Sequence, residues 1–313
     1  MNSTVFFLTL QQFCVLFFFL IVGFLLNRFK ILKDSKPLSA VLMWVFLPAV
    51  VFNVFYKNFT LANFKVALPY ALAGLIALLV FIGVSYLLVR RFKDRITRNT
   101  YWYSLIVTNM SYVGFPIMKS VFPEYELYFM VFIIAVQIFI FTVSVSMFKP
   151  QPEKVSLKGL LSPMIIALVL GIVCGLVFDS FSVKMPAPIE NILDSAASCM
   201  SPIAMLITGF TLAKLPLSKV FSRLSVYVFT ALRLIVYPAV FGAIAYLLHL
   251  ALGFDIGIVK IIIIYSSLPM GINSVFFAEA NGTDGTIAAQ CAFISHAACI
   301  ITMPFIFALV AIM

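Results

Sequence analysis

The sequence predicts an all-α integral membrane protein, with ten transmembrane helices in two inverted five-helix repeats. Three observations predict it: a composition that lipid alone can solvate, a regular series of apolar runs, and a second half that echoes the first. Of the 313 residues, 64% are hydrophobic and 10% are charged. A soluble domain is nearer half apolar and a quarter charged, so hydrocarbon must be the solvent for most of this surface.

Apolar runs of roughly 20 residues, the length that crosses a bilayer, fall at about 5–26, 38–56, 66–89, 101–122 and 126–148 in the first half. In the second half they fall at about 160–178, 190–213, 224–250, 256–279 and 285–311, again by the bilayer-length criterion. The first run starts near Val5 with no Lys or Arg before it. A cleavable leader carries a basic n-region, so this run is read as a true first span. The halves are then 1–148 and 164–313, with 149–163 as a cytoplasmic connector too small to be a domain.

The net charge of +10 would suggest nucleic acid in a soluble chain. Here the basic residues lie in short loops, where they set orientation, so the bilayer and not nucleic acid is the expected partner. One set of loops holds Arg28, Lys30, Lys33 and Lys36, then Arg90, Arg91, Lys93, Arg95 and Arg98, then Lys149, Lys154 and Lys158, then Lys214, Lys219 and Arg223. The opposite loops hold Lys57, Lys65, Lys119 and Lys184. That bias puts the odd-to-even loops in the cytoplasm and both termini outside. Cys14, Cys174, Cys199, Cys291 and Cys299 fall within apolar segments and make no CxxC or Cys/His set. They read as packing residues, and no metal site is expected.

The repeat is visible in order along the chain. Ile21-Val22-Gly23 resembles Ile172-Val173-Cys174-Gly175, Pro48 sits mid-span as Pro202 does, and Ser85-Tyr86-Leu87-Leu88 matches Ala245-Tyr246-Leu247-Leu248. The offset rises smoothly from 151 to about 161 residues, as small loop insertions would produce. Five spans per unit is an odd number, so the halves enter the membrane from opposite sides. Inverted repeats of this kind are characteristic of secondary transporters.

The fourth and ninth spans carry the chemistry. Val107-Thr108-Asn109-Met110-Ser111-Tyr112-Val113-Gly114-Phe115-Pro116 and Ser266-Ser267-Leu268-Pro269-Met270-Gly271-Ile272-Asn273-Ser274 lie at matching places. Gly114, Pro116, Pro269 and Gly271 free backbone groups that hydrocarbon cannot satisfy, so these broken helices should line a cavity or be covered by protein. A half-helix N-terminus at a break offers N–H donors and a positive dipole end to an anion, and Asn109 and Asn273 add neutral donors. A single such helix is more simply a proline kink; a symmetric pair favours a binding site. Arg233 lies about nine residues into the eighth span, roughly 13 Å deep at 1.5 Å per residue. It must face a wet cavity, a counter-charge or backbone carbonyls, and holding carbonyls of a broken helix and contacting an anion both fit. His296, in the tenth span, is the candidate for proton coupling near neutral pH, although a lone His more often packs. Gln137 should face the interior.

Five motifs, taken in order, resemble the auxin efflux carrier family, which includes plant PIN-type carriers and bacterial organic-acid permeases. They are Gly23-Phe24-Leu25-Leu26-Asn27-Arg28, Asn109 to Pro116, Ser267-Leu268-Pro269-Met270-Gly271-Ile272, Arg233-Leu234-Ile235-Val236-Tyr237-Pro238, and Phe277-Ala278-Glu279. The resemblance implies crossing fourth and ninth helices at the substrate site and an elevator-type mechanism. Spans 1, 2, 6 and 7 would form a scaffold and homodimer domain, and spans 3, 4, 5, 8, 9 and 10 a mobile transport domain. By motif, Asn109 and Gln137 match residues that meet a substrate carboxylate, with Thr108, Pro269, Met270, Gly271 and Asn273 around them, and Leu47 and Val51 match the scaffold wall. The short loop between spans 5 and 6, the lack of an Asp/Lys pair in span 3, and Thr108 in place of a proline favour a bacterial-type permease. Thr108 also implies a gentler first break.

The expected function is therefore secondary transport of small organic anions, mono- or dicarboxylates such as malate or malonate, across the plasma membrane. An auxin-like aromatic carboxylate exporter and a channel or sensor on a transporter fold are the alternatives. An enzyme is not expected, because the spans hold neither a nucleophile–base pair nor a carboxylate pair. No cofactor is expected, and coupling to Na⁺ or H⁺ is left open.

Overall fold

The computed structural model describes residues 3–151, 161–214 and 221–313; residues 152–160 of the expected connector lie outside that set. The described residues form α1 (Ser3–Arg28), α2 (Lys36–Asn58), α3 (Leu61–Val89), α4 (Arg95–Ile106), α5 (Phe115–Val121) and α6 (Pro123–Met147). After the connector come α7 (Pro163–Ser180), α8 (Ala187–Leu212), α9 (Leu224–Leu252), α10 (Ile256–Ser267), α11 (Asn273–Ala280) and α12 (Thr286–Val310). Eight of them, all but α4, α5, α10 and α11, are long and apolar enough to cross a membrane. Those four are half-length: the fourth and ninth apolar runs each break into two helices.

Helix starts differ from the hydropathy reading where a polar cap sets them. α3 begins at Leu61, not near 66, because the Thr60 side chain accepts from the Asn63 N–H. α4 begins at Arg95, not near 101, because Asp94 accepts from the Thr97 N–H. An N-cap satisfies a donor that the first turn leaves orphaned, so a polar first turn is added to an apolar run.

The helices pack in pairs: α1 on α8, α2 on α7, α3 on α6, and α9 on α10 and α12. Lipid tails are as apolar as leucine, so such pairs rely on close backbone approach and not on burial of apolar area. At α1–α8, a Cβ on Gly23 would stand 2.0 Å from the Leu206 carbonyl oxygen, and one on Gly209 would stand 1.8 Å from that of Leu20. At α2–α7, a Cβ on Gly175 would stand 2.7 Å from the Phe59 carbonyl oxygen. Leu79, Val173, Leu247 and Phe305 lie exposed on the outer faces.

Four helical stretches among the described residues widen into π turns, at Leu42–Phe46, Met110–Gly114, Ile140–Ser144 and Leu232–Val236. All but Ile140–Ser144 end two residues before a proline, Pro48, Pro116 or Pro238. A proline ring collides with the carbonyl four residues earlier, and a wider turn moves that carbonyl aside. Proline here re-aims a helix without ending it.

Candidate functional site at the helix crossing

α4 ends at Ile106 and the backbone is extended at Val107 before Asn109 opens the next turn. α10 ends at Ser267, and Leu268 to Ile272 form the matching break. The two breaks cross antiparallel, with Thr108 and Met270 forming a β-bridge. The Asn109 N–H donates to the Pro269 carbonyl at 2.8 Å, and the Gly271 N–H donates to the Val107 carbonyl at 3.0 Å. These bonds satisfy backbone groups that a broken helix would otherwise leave bare in hydrocarbon. Glycine at 271 allows this close approach, since a Cβ would meet Val107 Cγ1 at 3.1 Å and the Val107 and Thr108 carbonyl oxygens at 3.2 Å. The first break is therefore not gentler for having Thr108, because pairing across the crossing breaks the helix without a proline. Gly114 and Pro116 lie further on, where the π turn joins α5.

Four helix ends meet here. Two are C-terminal, and their carbonyls converge on one cation. Arg233 donates from Nη1 to the Leu105 carbonyl at 2.8 Å and from Nη2 to the Tyr265 carbonyl at 3.0 Å. The Tyr265 hydroxyl donates to the Ile106 carbonyl at 2.7 Å. Arg233 is completely buried, and its guanidinium lies 5.7, 5.6 and 5.3 Å from the ring centres of Phe81, Tyr237 and Tyr265. A positive charge against two helix C-termini is favourable for both dipoles, and the aromatic faces add a cation–π contribution.

The other two ends are N-terminal and are clasped by adjacent residues of α12. Ser295 Oγ accepts from the Met270 N–H at 3.0 Å. His296 Nε2 lies 2.7 Å from Asn109 Nδ2, and its Nδ1 lies 2.6 Å from the Ala292 carbonyl oxygen. The Asn109 side-chain oxygen in turn accepts from the Tyr112 N–H at 3.3 Å.

A cavity of about 630 Å³ reaches Tyr112 and Asn273, the residues that follow the two breaks. Its deep wall is Tyr112, Asn273, Phe276 and Phe277, facing Leu42 and Met43 of α2, Phe141 of α6 and Ile207 of α8. Asp34, Lys36 and Lys214 stand at its mouth, on the side of the basic loops. Opposite the mouth, α2 and α8 are tied by Lys57, which bonds both Asp194 carboxylate oxygens at 2.8 and 2.9 Å and lies 3.3 Å from Glu190.

The structure thus brings Thr108, Asn109, Pro269, Met270, Gly271, Asn273, Arg233 and His296 to one crossing, and of these Asn273 lines the cavity. Gln137 is buried and bonds Ser111 Oγ at 3.2 Å. It shares a narrow crevice with Val51, Phe55 and Phe115, apart from the cavity. Leu47 is buried in α2 between the two. Ser295, Tyr265, Tyr112 and Met43 were not singled out from sequence. Ser295 had the one available signal, a polar neighbour of His296 inside an apolar run.

Apolar helices around a polar crossing, with a cavity leading to it from one side, define a multi-pass membrane protein with an internal site. The sequence profile of a family described as membrane transport protein matches residues 9–158 and 147–307. The chain belongs to this family, the auxin-efflux-carrier group that its motifs resemble, and is a membrane transporter. A search of curated proteins returned no match.

Proposed function

We propose that the protein carries small organic anions across the plasma membrane by alternating access, with the crossing as the cargo site. The observation that carries this reading is the cavity lined by Tyr112 and Asn273 at two helix N-termini, whose positive dipole ends suit an anion. Arg233 balances the opposing C-termini, so the site is left with donors and no buried free charge. Lys36 and Lys214 at the mouth would draw anions inward.

The packing supports an inverted repeat. Exchanging the halves turns the α1–α8 pair into α7–α2 and the α3–α6 pair into α9–α12, and all four contacts are present. In an elevator reading, α1, α2, α7 and α8 form the scaffold and dimer unit, and the remaining helices carry the crossing past it. The wide cavity beside the first half of α2 and the narrow crevice beside Val51 fit a state open toward the basic loops. Those loops would be cytoplasmic, and both termini outside.

Malate or malonate would meet the N-termini through one carboxylate. Beyond Tyr112 and Asn273 the wall is Phe141, Phe276, Phe277 and Ile207, which offer no donor to a second, and burying an unpaired carboxylate is costly. That wall favours the alternative cargo, a monocarboxylate with an apolar or aromatic body. Solid-supported-membrane currents from proteoliposomes, recorded with malate, malonate, pyruvate and indole acetate, distinguish the two. Each is run with and without Na⁺ and a pH step, which reads coupling. Saturable currents for the apolar-bodied acids above the dicarboxylates are expected. Silence in the currents and in radiolabelled counterflow would sink the organic-anion reading.

A further inference from the structure

His296 sits in a hydrogen-bond chain that runs in only one direction. The Ala292 carbonyl can only accept, so His296 Nδ1 carries the hydrogen. At the other end, the Tyr112 backbone N–H can only donate, so Asn109 presents its side-chain oxygen there. Its Nδ2 therefore faces His296 Nε2, which at 2.7 Å must be the unprotonated acceptor. A second proton on the ring would set donor against donor. Flipping the Asn109 amide would relieve that clash but would turn its NH₂ onto the Tyr112 N–H.

The surroundings offer an imidazolium nothing in return. Among the described residues, no carboxylate bonds or pairs with His296. α12 itself brings Cys299, whose Sγ bonds the His296 carbonyl, and the segment after α4 brings Tyr112, whose hydroxyl is directed at Met43 Sδ. The nearby cation, Arg233 of α9, is bonded to Leu105 and Tyr265.

We infer that His296 is a positioning residue: a permanently neutral Nδ1–H imidazole that holds the Asn109 amide with its NH₂ toward the ring, so that the second hydrogen of that NH₂ is what Asn109 keeps for cargo and His296 carries no proton during transport. The inference about the ring stands on geometry alone; its effect on cargo rests on the proposed anion transport. His296 thereby sets the polarity of the site. With the amide locked by its oxygen to the start of the next turn, Asn109 can offer cargo a hydrogen and not a lone pair.

The test has two arms. The chain has two histidines, so ¹⁵N-histidine labelling of the full protein in lipid, with H249N to assign the signals, reads His296 directly. A protonated Nδ1 and an imine-type Nε2, unchanged from pH 5 to 8, are expected. N109D places an acceptor where the amide NH₂ was and should convert the ring to an imidazolium, which checks the detection. An imidazolium in the unaltered protein within that range, or an Nε2–H tautomer, overturns the inference whether or not any cargo is found. In proteoliposomes with indole acetate or malonate as probe, H296Q keeps a side-chain acceptor and should keep KM within about threefold of the parent. H296L should raise KM about tenfold while changing the maximal rate far less. An unchanged KM in H296L overturns the positioning role, as does a pH-dependent flux that H296Q abolishes. Failure of every probe to move would count against the transport reading and leave the tautomer result standing.

Discussion

Replacing Arg233 with methionine keeps much of the side-chain volume and removes every donor. The two bonds to Leu105 and Tyr265 are 2.8 and 3.0 Å long, and a hydrogen bond from a charged donor contributes about 1.5–3 kcal/mol. Against that loss of roughly 3–6 kcal/mol stands the relief of no longer burying the guanidinium, which in other buried ionic sites amounts to about 1–4 kcal/mol. That loss already contains the cost of leaving two carbonyls bare in a water-free site, roughly 1–3 kcal/mol each. The net expectation is a destabilisation of about 2 kcal/mol, or a fall of roughly 4 °C or more in Tm. Arg233→Lys keeps the charge but not the fork that spans both carbonyls, so about half the loss should remain. Thermal unfolding in detergent, followed by fluorescence of Trp44 and Trp102, measures both. A wild-type midpoint for Arg233→Met, together with a raised KM for anions, would show that Arg233 meets cargo and would refute the capping argument.

Three further outcomes follow from other parts of the fold. Gly209→Val drives a side chain into the Leu20 carbonyl and should cost about 1–3 kcal/mol as overpacking, whereas Gly83→Ala, with open space around it, should unfold like the parent. Asp94 is held below its ordinary value of 3.8 by the Thr97 N–H, so its cap is fully present at neutral pH and is lost as pH falls through the lowered value. Asp94→Ala should therefore cost about 1 kcal/mol at pH 7, and its deficit in urea unfolding should shrink toward zero as pH is lowered below the ordinary carboxylate range. Finally, Ser39→Cys lines the cavity and should react with a membrane-impermeant thiol reagent from the side of the basic loops. Lys184→Cys should react from the other side; the reverse pattern would overturn the orientation.

Much of the architecture is legible in the sequence because hydrocarbon imposes it. Runs such as α9 and α12 announce themselves by length and composition, and Pro116 with Pro269 flagged the right neighbourhoods for the breaks. The break itself, at Val107 to Asn109, has no local signature. It is set by pairing with Pro269 and Gly271, far along the chain, and backbone atoms leave no mark in a sequence. Arg233 was visible as a buried charge, but its partners are main-chain carbonyls, so sequence could not choose between structure and cargo. The cavity wall was hidden for another reason: Phe141 and Phe276 look the same in sequence as the many phenylalanines that face lipid. The polar caps at Thr60 and Asp94 were missed because hydropathy reports solvent preference and not hydrogen bonding.

The crossing also dictates an order of assembly. Leu105 and Ile106 of the first half find donors only when Arg233 and Tyr265 arrive, and Asn109 waits for Pro269 and His296. During synthesis the first five spans enter the bilayer while those partners are still inside the ribosome. Until then the α4–α5 stretch has nothing to fix where it breaks, and an unbent helix there satisfies its own carbonyls. An isolated first half should consequently be cleared by membrane quality control, while the two halves made as separate chains in one cell should rescue each other.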